Sequence, residues 1–246
     1  MNLKRDLPIG AASLLLLGSF FLPNVFAGVS DSNRMNNLTM IDSQRISFDA
    51  APELDLPDRI ALVSSSGTEI VPLNSGNVMD EEEACGKAIR ELEGFFRGES
   101  FGFDFQTCIV DECAAAFVFN VNDPNVNMII WELTLVDARE NLAYVTIDDE
   151  TGKLLKVIYR QSARNPAAAN NSQQQGLTNE QLYSNAEKLS EMMKVYYGLN
   201  IVLGDYHNSG NFSYYRADLI ESGRVIGMFG VVRSTGFTMN ERVTRG

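Results

Sequence analysis

Residues able to do acid–base, nucleophilic or metal chemistry are few in this chain of 246 residues, and their spacing gathers none of them into a site. The single histidine, His207, lies in Gly204-Asp-Tyr-His-Asn-Ser-Gly210. That run is built of turn formers, which predicts a solvent-exposed turn histidine rather than a general base or a metal ligand. Ser209 is close by, but no nucleophile-elbow sequence surrounds it and no partner acid is marked. Cys108 and Cys113 with one distant histidine do not have zinc-ligand spacing. The chain has three cysteines, Cys85 being the other, so one bridge is the most it can form. Cys108 and Cys113 would point to opposite faces of a straight strand and need a turn between them to pair. A bridge and free thiols both remain open.

The acidic clusters read in the same way. Asp148-Asp149-Glu150 precedes Gly152, but a calcium loop spreads its oxygens over alternate positions of about a dozen residues. A solvated hairpin turn is the expectation. Asp80-Glu-Glu-Glu83 fits the first turn of a helix, where the helix dipole favours acids. No phosphate-binding glycine loop occurs. Trp131, the only tryptophan, stands between Ile130 and Leu133 and reads first as a core residue. With Tyr144 and Tyr215 it supplies the aromatic side chains available for contact with a partner. No catalytic residue, cofactor or metal is expected.

Composition supports a folded chain that binds no polyanion. The sequence is 45% hydrophobic and 21% charged, ordinary values for globular proteins. Its 20 Lys+Arg against 32 Asp+Glu give a net charge of -12. Nucleic acid and anionic membrane surfaces call for the opposite sign, so neutral, basic or peptidic partners are expected.

The N-terminal residues read as an export signal. Lys4 and Arg5 are followed by a charge-free apolar stretch of about 22 residues, Leu7 to Gly28. Cleavage after Ala27 and retention as a membrane anchor both remain open, since about 22 helical residues span a hydrocarbon core of roughly 30 Å. Either way the remainder is expected outside the cytoplasm, membrane-anchored or secreted.

The elements expected to follow divide the chain. Residues 29–77 read as an extended lead-in with one or two short strands, drawn from runs such as Ile60-Ala-Leu-Val63. Asp80 and Glu83 form a capping-box pair, and Ala84, Ala88, Leu92 and Phe95 then recur at helical spacing. Thr178 and Gln181 repeat the signal before Leu182, Ala186, Leu189 and Met193. Both helices are expected to end at glycine, Gly94 or Gly98 and Gly198. Short β-branched and aromatic runs follow each, as in antiparallel meanders. Trp131 to Val157 lies on Tyr215 to Glu241 without a gap at an offset of 84, with Thr151-Gly152 meeting Thr235-Gly236. Between them, residues 161–177 are rich in Asn, Gln, Ala and Ser and read as a flexible linker. The expected fold class is therefore α+β, with two tandem units, 78–160 and 178–246, each a helix packed on a curled antiparallel sheet after a signal or anchor at 1–28.

Trp131-Glu-Leu-Thr-Leu-Val-Asp137, Leu142-Ala-Tyr-Val-Thr-Ile-Asp148 and Glu150-Thr-Gly152, preceded by the helix starting at Asp80, resemble PepSY-type domains. In the second unit Tyr215 replaces the tryptophan and Arg233 stands where Asp149 would be. The resemblance implies a non-catalytic domain of the kind that accompanies or restrains secreted peptidases, or senses at the membrane. The expected function is a non-enzymatic extracytoplasmic regulatory or protein-binding module. It would be tethered through its N-terminal helix and hold a peptide or protein, such as a peptidase or membrane sensor, on exposed sheet edges. A structural envelope component and a secreted hydrolase are the alternatives.

Overall fold

In the computed structural model, which describes residues 54–97, 99, 101–162 and 177–241 within the unit Asp49–Gly246, the first helix begins where sequence reading placed a strand. Asp55 caps α1 (Leu56–Ser64) by accepting from Asp58 N, with Pro57 in its first turn. Proline is tolerated there because that N–H has no helical partner. Ile60-Ala-Leu-Val63 therefore belongs to a helix; four apolar residues suit either period, and the Asp-x-Pro start decides. A short strand, β1 (Thr68–Leu73), follows.

The next two helices form at the expected capping boxes. In α2 (Glu81–Phe95) and α3 (Asn179–Tyr197), the side chains of Asp80 and Thr178 accept from the backbone three residues on, and Glu83 and Gln181 reach back. Each helix buries the expected face: Ala84, Ala88 and Leu92 in α2, and Leu182, Ala186, Leu189 and Met193 in α3. Gly198 ends α3 as expected, but α2 runs through Gly94 and is capped at Phe96.

The strands do not divide into two units. After α2 come β2 (Ile109–Asn120), β3 (Asn127–Val136), β4 (Leu142–Asp148) and β5 (Leu154–Arg160). After α3 come β6 (Ile201–Asn208), β7 (Phe212–Glu221), β8 (Arg224–Arg233) and β9 (Gly236–Met239). All pair antiparallel in a single nine-stranded sheet of order β1-β2-β3-β4-β5-β9-β8-β7-β6. The seam is β5 on β9, where Val157 pairs with Met239 and Tyr159 with Phe237. This corrects the expected fold class: the described chain is mostly sheet, with three helices on one continuous sheet rather than two tandem helix-on-sheet units.

The physical reason lies beneath the seam. Tyr159 and Phe237 are buried there with their rings 5.7 Å apart, and Phe96 of the α2 C-cap packs against both at 5.6 and 5.9 Å. Phe95 of α2 meets Tyr196 of α3 edge-on at 5.6 Å. Separating the halves would expose this aromatic layer and leave two sheet edges unpaired.

Successive strand residues point to opposite faces. One face carries Trp131, Leu133, Val145, Ile147, Val157, Ala217 and Met239, all buried in the same core as the α2 and α3 faces. On the other face α1 covers one end. There Arg59 reaches Asp148, and Asn240 donates to the carbonyls of Ile60 and Leu155 at 3.0 and 2.8 Å.

No helix among the described residues is long and apolar enough to cross a membrane. The expected signal or anchor, 1–28, lies outside the described residues, as does most of the expected linker.

Candidate functional site

The acids that sequence reading placed in a solvated turn are interior: Asp148 is 0% and Asp149 2% exposed. Asp148 accepts from Arg59 Nη1 at 2.8 Å and from the backbone N and hydroxyl of Thr151 at 2.8 and 2.5 Å. Arg59 also donates to the Leu54 carbonyl at 2.8 Å and pairs with Glu150, the one exposed acid of the trio. Burial pulls this guanidinium down, but Asp148 and Glu150 outweigh it and hold it above its ordinary value. Asp149 accepts from Asn77 N and Val78 N at 2.8 Å, Met79 N at 3.2 Å and Trp131 Nε1 at 2.8 Å. Four donors converging on one buried carboxylate fix the chain's entry into α2. Gly76 closes the arrangement, because a Cβ there would lie 2.2 Å from Asp149 Oδ1 and 2.7 Å from Trp131 Nε1. Trp131 and Asp148, which carry the PepSY resemblance, are thus both interior.

Tyr215, the repeat counterpart of Trp131, is also interior and donates to the Thr238 carbonyl at 2.9 Å. Of the aromatic residues considered for partner contact, Trp131 and Tyr215 are only 3% and 2% exposed, whereas Tyr144 is 37% exposed. His207 is exposed, but on β6 opposite Tyr214 rather than in a turn. All three cysteines are free thiols. Burial pushes the Cys113 thiol up to about 12, and its neighbour is Cys85 on α2, not Cys108. Among the described residues no cluster of His, Cys, Asp and Glu could hold a metal.

A hollow of about 450 Å³ lies between α2 and α3, lined by Arg90, Glu91, Lys153 and Tyr196 among others. Its charges are largely engaged with each other. Glu91 accepts from Lys87 at 3.0 Å, Lys153 at 3.1 Å and the Tyr196 hydroxyl, and Lys188 pairs with Glu99. This hollow is a junction between helices and the β4–β5 turn.

The sheet face opposite α2 and α3 is different where α1 leaves it uncovered. Tyr144 of β4, Ile158 and Arg160 of β5, Thr238 of β9, Val231 and Arg233 of β8, and Phe212 and Tyr214 of β7 occupy successive positions across it. Arg160 lies over the Tyr144 ring at 5.9 Å, Arg233 over Phe212 at 5.7 Å and Arg216 over Phe229 at 6.0 Å. Tyr214 is 50% and Phe229 40% exposed. A cavity of about 160 Å³ lies above β9, lined by Arg160 and Arg233 as well as Ile158, Val231, Gly236 and Thr238. Sequence reading found Tyr144 but missed the arginines. The strand period places each of them, yet which strands adjoin is set by the seam.

No known protein family matches this chain, and no curated protein or solved structure shows significant similarity to it.

Proposed function

We propose that this protein is a non-enzymatic binding module of the cell envelope that holds an extended peptide or protein segment across the open face of its sheet. The observation that carries this reading is the set of arginine–aromatic pairs on that face: Arg160 with Tyr144, Arg233 with Phe212, and Arg216 with Phe229. Aromatic rings offer large contact area at low entropic cost, and arginine adds directional donors; both are favoured in binding surfaces. The face is a better platform than the sheet edges. Pro72 interrupts the donors of β1, and a bulge between Leu203 and Tyr206 breaks the outer strand β6. Both are devices that discourage strand addition. The export signal read at 1–28 supports a place outside the cytoplasm, and the PepSY resemblance supports a peptidase or membrane sensor as the source of the segment.

The test is site-specific photocrosslinking in cells. A photoreactive phenylalanine replaces Tyr144 or Tyr214 of the full chain, with Tyr183 on α3 as the control position. A discrete protein adduct from Tyr144 and Tyr214 but not from Tyr183 supports the reading. Adducts of equal yield from all three positions, or none from the sheet face, overturn it.

A further inference from the structure

Resting on that reading, we infer that the trough above β9 takes the carboxylate of an acidic side chain in an extended peptide, held between Arg160 and Arg233. The register puts Arg160, Gly236 and Arg233 side by side on three neighbouring strands. Two strand spacings set the arginine Cα atoms roughly 9.5 Å apart. Between them stands a residue with no side chain, and none other is accommodated: a Cβ on Gly236 would lie 2.0 Å from the Tyr159 carbonyl oxygen, and its φ of 151° is one that other residues rarely adopt. Each guanidinium rests on a ring on the far side from β9, Arg160 toward β4 and Arg233 toward β7. The rings hold the arginines as two rims and keep the floor of Gly236 and Thr238 open.

Charge identifies the occupant. Among the described residues no carboxylate pairs with Arg160 or Arg233, although acids outnumber bases 32 to 20 in the chain. Arg216, by contrast, is engaged by Asp218 at 2.6 Å. The acid lining the trough, Glu241, accepts from the Thr238 hydroxyl at 3.0 Å. About 160 Å³ is the liquid volume of about five waters. That is room for a carboxylate and its adjoining carbons. Guanidinium forks match carboxylates bidentately, so a fork swung from its ring over the trough selects an acidic side chain over its amide. An apolar residue two positions from the acid, on the same face of the extended peptide, would meet Ile158, Val231, Tyr144 and Tyr214. The overall charge of -12 works against a long polyanion.

Fluorescence anisotropy on the full chain tests this with two labelled peptides, alternating Glu-Val and alternating Gln-Val hexamers. In extended form each presents its polar side chains on one face. The expected result is that the glutamate peptide binds at least tenfold more tightly than the glutamine peptide and weakens with added salt. Arg160→Gln and Arg233→Gln each remove most of that preference, and Arg97→Gln beside α2 leaves it intact. Arg160→Lys and Arg233→Lys keep stem and charge, lose the fork, and fall between; they also guard against a glutamine variant that misfolds. Equal binding of both peptides, unaffected by the arginine variants, overturns the clamp and leaves the peptide-binding reading standing. Binding of neither peptide overturns both. Tighter binding of a labelled uridine hexamer than of the glutamate peptide overturns the clamp's assignment to an acidic peptide.

Discussion

Replacing Arg59 by methionine is the most informative single change, because Arg59 is the only described cation bonded to the fully buried Asp148. Methionine keeps much of the stem and removes the guanidinium. The bonds lost are those to Asp148 Oδ1 and the Leu54 carbonyl, both 2.8 Å, and the pair with Glu150. Glu150 is half in water and its loss costs little. Asp148 keeps Thr151 on Oδ2 but has no other described donor on Oδ1, and its charge stays buried. Breaking a buried pair in this way costs about 3–5 kcal/mol. In a protein of this size each kcal/mol moves Tm by about 2–4 °C, so Tm falls by roughly 6–20 °C. Asp148→Asn in the same background removes the orphaned charge and keeps an acceptor for Thr151. The double variant Arg59→Met/Asp148→Asn should therefore recover a substantial part of the loss. The assay is urea unfolding of wild type, both singles and the double, with equal m-values as the check on two-state behaviour. A single variant within about 1 kcal/mol of wild type, or a double no better than Arg59→Met alone, refutes the view that the buried charge dominates.

Asp149→Ala should leave the Trp131 indole and three backbone N–H groups without their acceptor, destabilising by about 2–4 kcal/mol. Because Trp131 is the only tryptophan, a red-shifted emission in the folded state reads the loosened 77–79 segment directly; unchanged emission and stability contradict the assignment. Gly236→Ala forces the β5–β9 seam apart and should cost at least about 3 kcal/mol, with earliest loss of amide-exchange protection at Val157–Arg160; uniform protection counts against the seam as the weak point. For Glu91, burial pushes the carboxyl up, but the Tyr196 hydroxyl, Lys87 and Lys153 prevail and hold it below its ordinary 4.5. Its stabilisation is full above that unfolded value and is lost as pH falls through the lower folded value. The Tm gap between wild type and Glu91→Gln should thus be open at pH 6 and close on acidification below 4.5; a gap that widens with acid reverses the sign and refutes it. A disulfide oxidant at alkaline pH should link Cys113 to Cys85 and leave Cys108 open to alkylation, whereas a Cys108–Cys113 peptide in the map excludes the observed neighbours.

Local chemistry in the sequence determined the parts. The starts of α2 and α3 at Asp80 and Thr178 were legible because a capping box is written in residues three apart, and most strand runs were legible because their period is local. Even locally α1 is ambiguous, since Ile60-Ala-Leu-Val63 fits either period and only Asp55 and Pro57 mark a helix start. The assembly was not legible. Nothing near Tyr159 or Phe237 states that these residues, far apart in the chain, lie side by side, so the pairing of β5 with β9 and the single sheet it makes belong to the tertiary structure alone. The same holds for burial. Asp148 and Asp149 carry the composition of a solvated turn, and become interior because Arg59 and the 77–79 backbone come from elsewhere in the chain to meet them. Arg160 and Arg233 likewise read as ordinary strand-end charges. They flank one glycine only once the seam has set β5, β9 and β8 in order, because hydrogen bonds within a turn are fixed by spacing while contacts across a sheet are fixed by which edges must be paired.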